Sequence, residues 1–173
     1  MSKRIFIKII SLFVFSLILF SFQKTFSQDI PKPIKTKWEN LKSLLQRRID
    51  IVTTLSSQYS AAFDIEKLKF AKKAALNLNK YLVSLNHPDS TSVSLTNLKN
   101  ANLTNTLLVA LATLKNKSAF KEQDKAESII VELEGVENRI VLARKEYNDS
   151  CKENNRTDLI FNVKSSKAPS IQF

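Results

Sequence analysis

The sequence predicts an all-α protein, an antiparallel up-down four-helix bundle that follows an N-terminal apolar segment. Apolar residues recur at steps of three and four through most of the chain, which is the period of a helix with one buried face. Glycine occurs once and proline four times in 173 residues, which is typical of long helices joined by few tight turns. Four amphipathic helices with mostly short connections can bury their apolar faces only against one another, and this favours a bundle.

Residues 1–27 have the composition of an export segment. Lys3 and Arg4 precede an apolar, uncharged run over residues 9–22, and small residues follow it. The pattern predicts a signal peptide that is cleaved before Gln28. The run is shorter than the roughly 20 residues of a membrane span, but extending it toward the N-terminus leaves an uncleaved membrane anchor as the alternative. In either case we expect an exported domain, periplasmic or membrane-associated.

After this segment we expect a linker over residues 28–36, a bundle over residues 37–155 and an irregular tail over residues 156–173. The predicted helices begin near residues 34, 64, 97 and 122 and end near residues 59, 85, 116 and 154. The residues predicted to be buried are Trp38, Leu41, Leu45, Val52, Leu55 and Tyr59 in the first helix, Ile65, Leu68, Ala71, Ala75, Leu78, Leu82 and Leu85 in the second, Leu103, Leu107, Ala110, Leu111 and Leu114 in the third, and Leu133, Val136, Ile140 and Tyr147 in the fourth. Lysines of the second helix and acidic residues of the fourth are expected to complement each other.

Three charged residues fall inside these apolar faces. Glu137 and Arg144 lie about 40° and 20° from Leu133, and Arg48 lies about 20° from Leu41, at 100° per residue. If the first and fourth helices are antiparallel neighbours with aligned midpoints, Arg48 and Glu137 lie level. We therefore predict a buried or half-buried ion pair between them that fixes the register. The alternative is that Arg48 extends its guanidinium to solvent.

The sequence offers little for catalysis. His87 is the only histidine and Cys151 the only cysteine, so a metal centre with several histidine ligands, an HExxH motif and an internal disulfide are excluded. The single glycine excludes a glycine-rich nucleotide loop. We expect no enzyme activity, no cofactor and no metal.

The net charge of +11 overstates the charge of the predicted domain. Residues 1–27 hold four basic residues and no acid, which leaves 23 basic and 16 acidic residues and a net charge of +7. No basic-aromatic motif accompanies this charge, so nucleic acid is not an expected partner. A cluster in the second helix could instead meet an anionic surface. Its members are Lys67, Lys69, Lys72 and Lys73.

Two blocks of the sequence resemble the LemA family. The first has Trp38 before a stretch similar to the family's Gln-Arg-Arg-x-Asp-Leu-Ile-Pro-Asn-Leu, although Thr53 and Thr54 replace the family's Pro-Asn. The second lies in residues 133–149 and matches the family's C-terminal helix almost position for position. The matching residues are Gln46, Arg47, Arg48, Asp50 and Leu55 in the first block and Leu133, Glu134, Glu137, Asn138, Arg139, Ile140, Ala143, Arg144, Tyr147, Asn148 and Asp149 in the second.

The resemblance implies an antiparallel helical bundle on the outer side of the cytoplasmic membrane, without known enzyme activity or cofactor. The first functional hypothesis is therefore a non-enzymatic cell-envelope scaffold or protein-interaction module with an envelope protein as partner. The second is a peripheral binder of anionic lipid or envelope polymer that uses the second-helix lysines. A third, small-ligand binding in the bundle core, would need a cavity.

Overall fold

The computed structural model describes residues 30–113 and 123–161. All the helices described here belong to one compact unit, Pro31–Phe173. Helix α1 spans Lys32–Gln58, α2 spans Ile65–Ser84, α3 spans Ser90–Leu111 and α4 spans Gln123–Glu153, with short 3₁₀ turns at Ser60–Ala62 and Thr157–Leu159. The described ranges contain no strand, and the predicted all-helical fold is confirmed. The predicted export segment lies outside the described residues.

Helices α1 and α4 are antiparallel neighbours. Near the start of α1, Lys37 Nζ lies 2.8 Å from Glu146 Oε2, late in α4. Further along α1, Arg47 Nε donates to Glu132 Oε1 over 2.9 Å, early in α4. The acidic first half of α4 thus pairs with α1, and no ion pair joins it to α2 among the described residues. The expected complementarity between α2 and α4 is wrong because α4 packs along α1 instead.

Helices α2 and α3 form an antiparallel hairpin beside α1. The Asp64 backbone N–H donates to Thr113 Oγ1 over 3.0 Å, which joins the start of α2 to the chain just after α3. At the other end, the Lys99 ammonium of α3 lies 5.3 Å from the centroid of the Tyr81 ring of α2. Lys42 of α1 donates to the carbonyl oxygen of Leu85, so the C-terminal end of α2 lies against the first half of α1.

Two helices begin earlier than predicted. Helix α1 begins at Lys32, inside the expected linker of residues 28–36, because a proline in the first turn needs no N–H partner. Helix α3 begins at Ser90, although the serines and threonines around it were interpreted as a loop. Asp89 and Ser92 form a reciprocal capping box there, with each backbone N–H donating 2.7 Å to the other side chain.

Asp64 is the N-cap of α2. Asp64 Oδ1 accepts hydrogen bonds from the backbone N–H groups of Glu66, at 2.9 Å, and Lys67, at 3.1 Å. These bonds satisfy two of the four N–H groups that have no partner within the helix.

The buried faces agree with the predicted stripes except near helix ends. Ile65 was expected in the core but is 53% exposed, because it lies about 120° around α2 from the buried Ala71. Tyr59 and Leu85 are half-buried rather than buried. Helix α3 ends at Leu111, with its C-cap at Ala112, and so ends about five residues before its predicted end near residue 116. Leu114 and the predicted start of the fourth helix at residue 122 lie outside the described residues.

Helix α1 continues without a break where the family has Pro-Asn. Thr53 and Thr54 occupy those positions, and their hydroxyls donate to the carbonyl oxygens of Ile49, at 2.8 Å, and Asp50, at 2.9 Å. Threonine can stay in a helix by bonding back in this way, whereas proline would disrupt it.

The chain after α4 returns to the core, in contrast to the predicted irregular tail. Asn155 has a positive φ of 56°, the left-handed conformation that often ends a helix, and Phe161 then packs against α4. The Asn148 side chain accepts from the Phe161 N–H over 2.9 Å and donates to the Phe161 carbonyl oxygen over 3.2 Å. The Phe161 ring centroid lies 6.1 Å from that of Trp38 and 5.5 Å from that of Tyr147. Residues 156–161 therefore belong to the bundle, and residues 162–173 lie outside the described chain.

We expect Gly135→Ala to stabilise the protein by up to about 1 kcal/mol. Gly135 is an exposed position inside α4, and a Cβ added there meets no atom within 4 Å. Glycine inside a helix costs roughly that amount relative to alanine. A rise in the denaturant midpoint with an unchanged m-value would agree, and an unchanged or lower midpoint would contradict the prediction.

Candidate functional site

The polar centre of the bundle is Arg48, whose side chain is 1% exposed and joins three helices. Its Nη1 donates to Asn100 Oδ1 over 2.5 Å and its Nη2 to Thr104 Oγ1 over 2.8 Å, both on α3. Its Nε lies 2.5 Å from Glu137 Oε1 on α4, without the alignment of a hydrogen bond. The structure thus contains the predicted ion pair, and the guanidinium points inward and not to solvent. We call Arg48, Asn100, Thr104 and Glu137 the polar cluster.

Glu137 is less buried than its partner, with 20% of its side chain exposed. Burial raises the pKa of Glu137, while the positive charges of Arg48 and Arg144 lower it. Burial has the opposite effect on the base Arg144: it lowers the pKa of Arg144, and the Glu137 carboxylate opposes that shift. Glu137 is therefore the electrostatic neighbour of Arg144, for which the sequence suggested no clear partner.

Sequence reasoning missed Asn100 and Thr104. The third helix was predicted to begin at residue 97, which left Asn100 in its first turn, where a polar residue attracts no attention. With α3 beginning at Ser90, Asn100 lies three residues before the buried Leu103 and on the same face. That spacing was the available signal.

The chemistry of this cluster favours a structural role. Two N–H groups of Arg48 donate to neutral acceptors on α3, its positive charge lies beside the Glu137 carboxylate, and its side chain is only 1% exposed, so the guanidinium is not presented to a ligand. In the part of the chain that the structure describes, no group of three or more His, Cys, Asp and Glu side chains could hold a metal. His87 is exposed in the loop between α2 and α3.

A half-open depression of about 130 Å³ lies between α1 and α4. It is smaller than the roughly 300–1,000 Å³ of typical small-molecule pockets. The Arg47–Glu132 ion pair forms part of its wall. Its lining residues are Arg47, Asp50, Ile51, Thr54, Ile129 and Glu132. This site therefore does not favour small-ligand binding in the bundle core.

The second buried polar group pairs a phenol with a thiol. Tyr147 and Cys151 are fully buried one turn apart on α4, and the Tyr147 hydroxyl interacts with the thiol without the alignment of a hydrogen bond. Burial raises the pKa of Tyr147 and the pKa of Cys151. The free thiol is thus held neutral in the core, which fits a structural cysteine.

We expect the free energy of unfolding to fall as the pH rises above about 9, the ordinary pKa range of thiols and phenols. A folded-state pKa above the unfolded one means that the unfolded chain releases its protons first, so alkaline pH favours unfolding. Denaturant titrations from neutral to alkaline pH would measure the slope. The Tyr147→Phe, Cys151→Ala double variant should flatten it, and an equal slope in that variant would contradict the assignment.

The four lysines singled out in the sequence do not share one face of α2. Lys69, Lys72 and Lys73 lie within an arc of about 100°, whereas Lys67 lies about 160° from Lys69. Lys80, which the prediction omitted, belongs to the same arc. All but the half-buried Lys72 are exposed.

None of the helices that the structure describes is long and apolar enough to cross a membrane. Residues 1–27, on which the expectation of a signal peptide or an anchor depends, are not among them.

The fold and the polar cluster define a helical-bundle protein whose first and last helices are joined by buried charge. The family model of the LemA family matches residues 37–168, a range that contains both sequence blocks and all four helices except the first turn of α1. The chain therefore belongs to the LemA family. Comparisons with curated proteins and with solved structures found no match.

Proposed function

We propose that the protein is a non-enzymatic component of the cell envelope, a helical scaffold or protein-interaction module on the outer side of the cytoplasmic membrane. The observation that carries the proposal is the burial of the polar cluster. Two of the charges shared with the family, Arg48 at 1% exposure and Glu137 at 20%, pair with each other inside the bundle, which leaves the outer helix faces for contacts with other molecules.

The outer face of α4 has the character of a contact surface. Val131 and Leu142 are both exposed and lie about 20° apart around the helix, opposite the buried stripe. Gly135 lies between them on that face and adds no side chain. A partner that packs along this face would bury both side chains.

The location of the protein and its contact with another envelope protein can be tested in the same cells. A membrane-impermeant amine reagent applied to intact spheroplasts should label the protein, because lysines such as Lys145 are exposed. A photo-crosslinking residue at Leu142 should give discrete adducts with another envelope protein, whereas one at Glu153, exposed at the end of α4, should give fewer. Protection from the reagent in intact spheroplasts would contradict the location. Equal adduct patterns at the two positions would contradict the interaction surface.

The second candidate function, peripheral binding to anionic lipid or envelope polymer, is favoured by the charge of α2. This helix carries five lysines and one glutamate, and α3 carries one lysine and no acid. The hairpin of α2 and α3 therefore presents positive charge, while acids outnumber bases in α4.

A further inference from the structure

We propose that the outer face of α2 docks onto an anionic lipid bilayer, with lysines bound to the headgroups and three apolar side chains inserted between them. The inference rests on the second proposed function and specifies its partner as lipid. The docking face consists of Ile65, Lys69, Lys72, Lys73, Leu76, Lys80 and Val83.

The composition of this face distinguishes it from an ordinary solvated surface. Its residues occupy an arc of about 100° on the side of α2 away from the core. The arc contains four lysines and no acidic residue. Lys72, Lys73 and Lys80 have no ion-pair partner among the described residues. Lys69 pairs with Glu66, which lies outside the arc, and both side chains are about two-thirds exposed, so a competing phosphate can displace this contact.

Apolar side chains interrupt the lysines along the whole helix. Ile65 is 53% exposed, Leu76 is 47% exposed and Val83 is 73% exposed. They lie within about 20° of one another around α2, so they form a single row flanked by the basic residues. A helix that lies on a membrane has this arrangement, with apolar groups at the level of the acyl chains and lysines in the headgroup layer.

The charge distribution favours lipid over a polymer chain. An anionic bilayer attracts each basic residue near it and repels the acidic α4. An anionic polymer would satisfy the lysines but would not bury the three exposed apolar side chains, whereas a bilayer does both.

The test uses the full chain reconstituted in vesicles of phosphatidylcholine alone or mixed with phosphatidylglycerol. An environment-sensitive dye is attached at Leu76→Cys in a Cys151→Ala background, and lipid-attached quenchers report its contact with the bilayer. We expect quenching only in the anionic vesicles, weakened by salt. Changing Lys69, Lys72, Lys73 and Lys80 to Gln should shift the docking equilibrium by about fivefold per lysine.

The matched control removes four positive charges from α4, by changing Lys125, Arg139, Lys145 and Lys152 to Gln, and should leave the quenching intact. Changing Ile65 and Val83 to Ser keeps every lysine and should reduce the quenching. If the protein binds only to anionic vesicles but the dye stays in water, the insertion of the apolar side chains is contradicted, whereas peripheral binding stands. Equal quenching in neutral and anionic vesicles would contradict both the insertion and the peripheral binding to anionic lipid.

Discussion

Glu137→Leu is expected to lower the free energy of unfolding by about 3–5 kcal/mol, the usual cost of leaving a buried charge without its partner. Arg48 is 1% exposed and keeps its charge at neutral pH. Without Glu137 it would retain only the neutral oxygens of Asn100 and Thr104, and the positive charge of Arg144 would no longer be opposed. Chemical denaturation of the folded domain measures the loss.

The double variant Arg48→Met, Glu137→Leu should recover much of that loss, because it removes both charges from the core. Additive losses in the double-mutant cycle would contradict a coupled pair. Glu132→Leu is the matched control, since Glu132 joins the same two helices through Arg47. The side chains of Arg47 and Glu132 are both more than a third exposed. We therefore expect Glu132→Leu to lower the free energy of unfolding by at most about 1 kcal/mol.

Phe161→Ala is expected to cost about 3–5 kcal/mol, as for other buried phenylalanines. The ring is 3% exposed and contacts both Trp38 and Tyr147. Its loss would open a cavity between α1 and α4 and would expose one side of the only tryptophan in the chain. The tryptophan fluorescence of the folded protein should therefore change together with its stability.

Phe70→Ala provides the control for this substitution. Phe70 is 58% exposed on α2, so the same chemical change should alter stability by no more than about 0.5 kcal/mol. A small effect of Phe161→Ala, equal to that of Phe70→Ala, would mean that the chain after α4 does not contribute to the core.

Periodicity was sufficient to predict the helices and the main buried faces. Leu41, Leu133 and Ile140 are buried as expected because a 3.6-residue period fixes which residues share a helix face. The same reasoning brought Arg48 and Glu137 together once α1 and α4 were taken as antiparallel. A charge inside an apolar stripe needs a partner. Only a few positions of α4 lie level with Arg48 of α1, and Glu137 is one of them.

The predictions that failed depend on information that periodicity does not contain. The start of α3 depends on reciprocal bonds between Asp89 and Ser92, and the serine-rich context suggested a loop. Phe161 follows a chain reversal at Asn155, so its burial has no relation to any helical period. The partner of α4 was also misassigned, because surface charge is a weak determinant of packing.

The pairing of α1 with α4 has a consequence for how the domain forms. The hairpin of α2 and α3 uses contacts that are close in sequence, so it can form early, whereas the contact of Arg48 with Glu137 must close a loop of about 90 residues. Phe161 completes the same core from beyond the last helix. The bundle therefore cannot reach its native packing until the chain has been synthesised past residue 161.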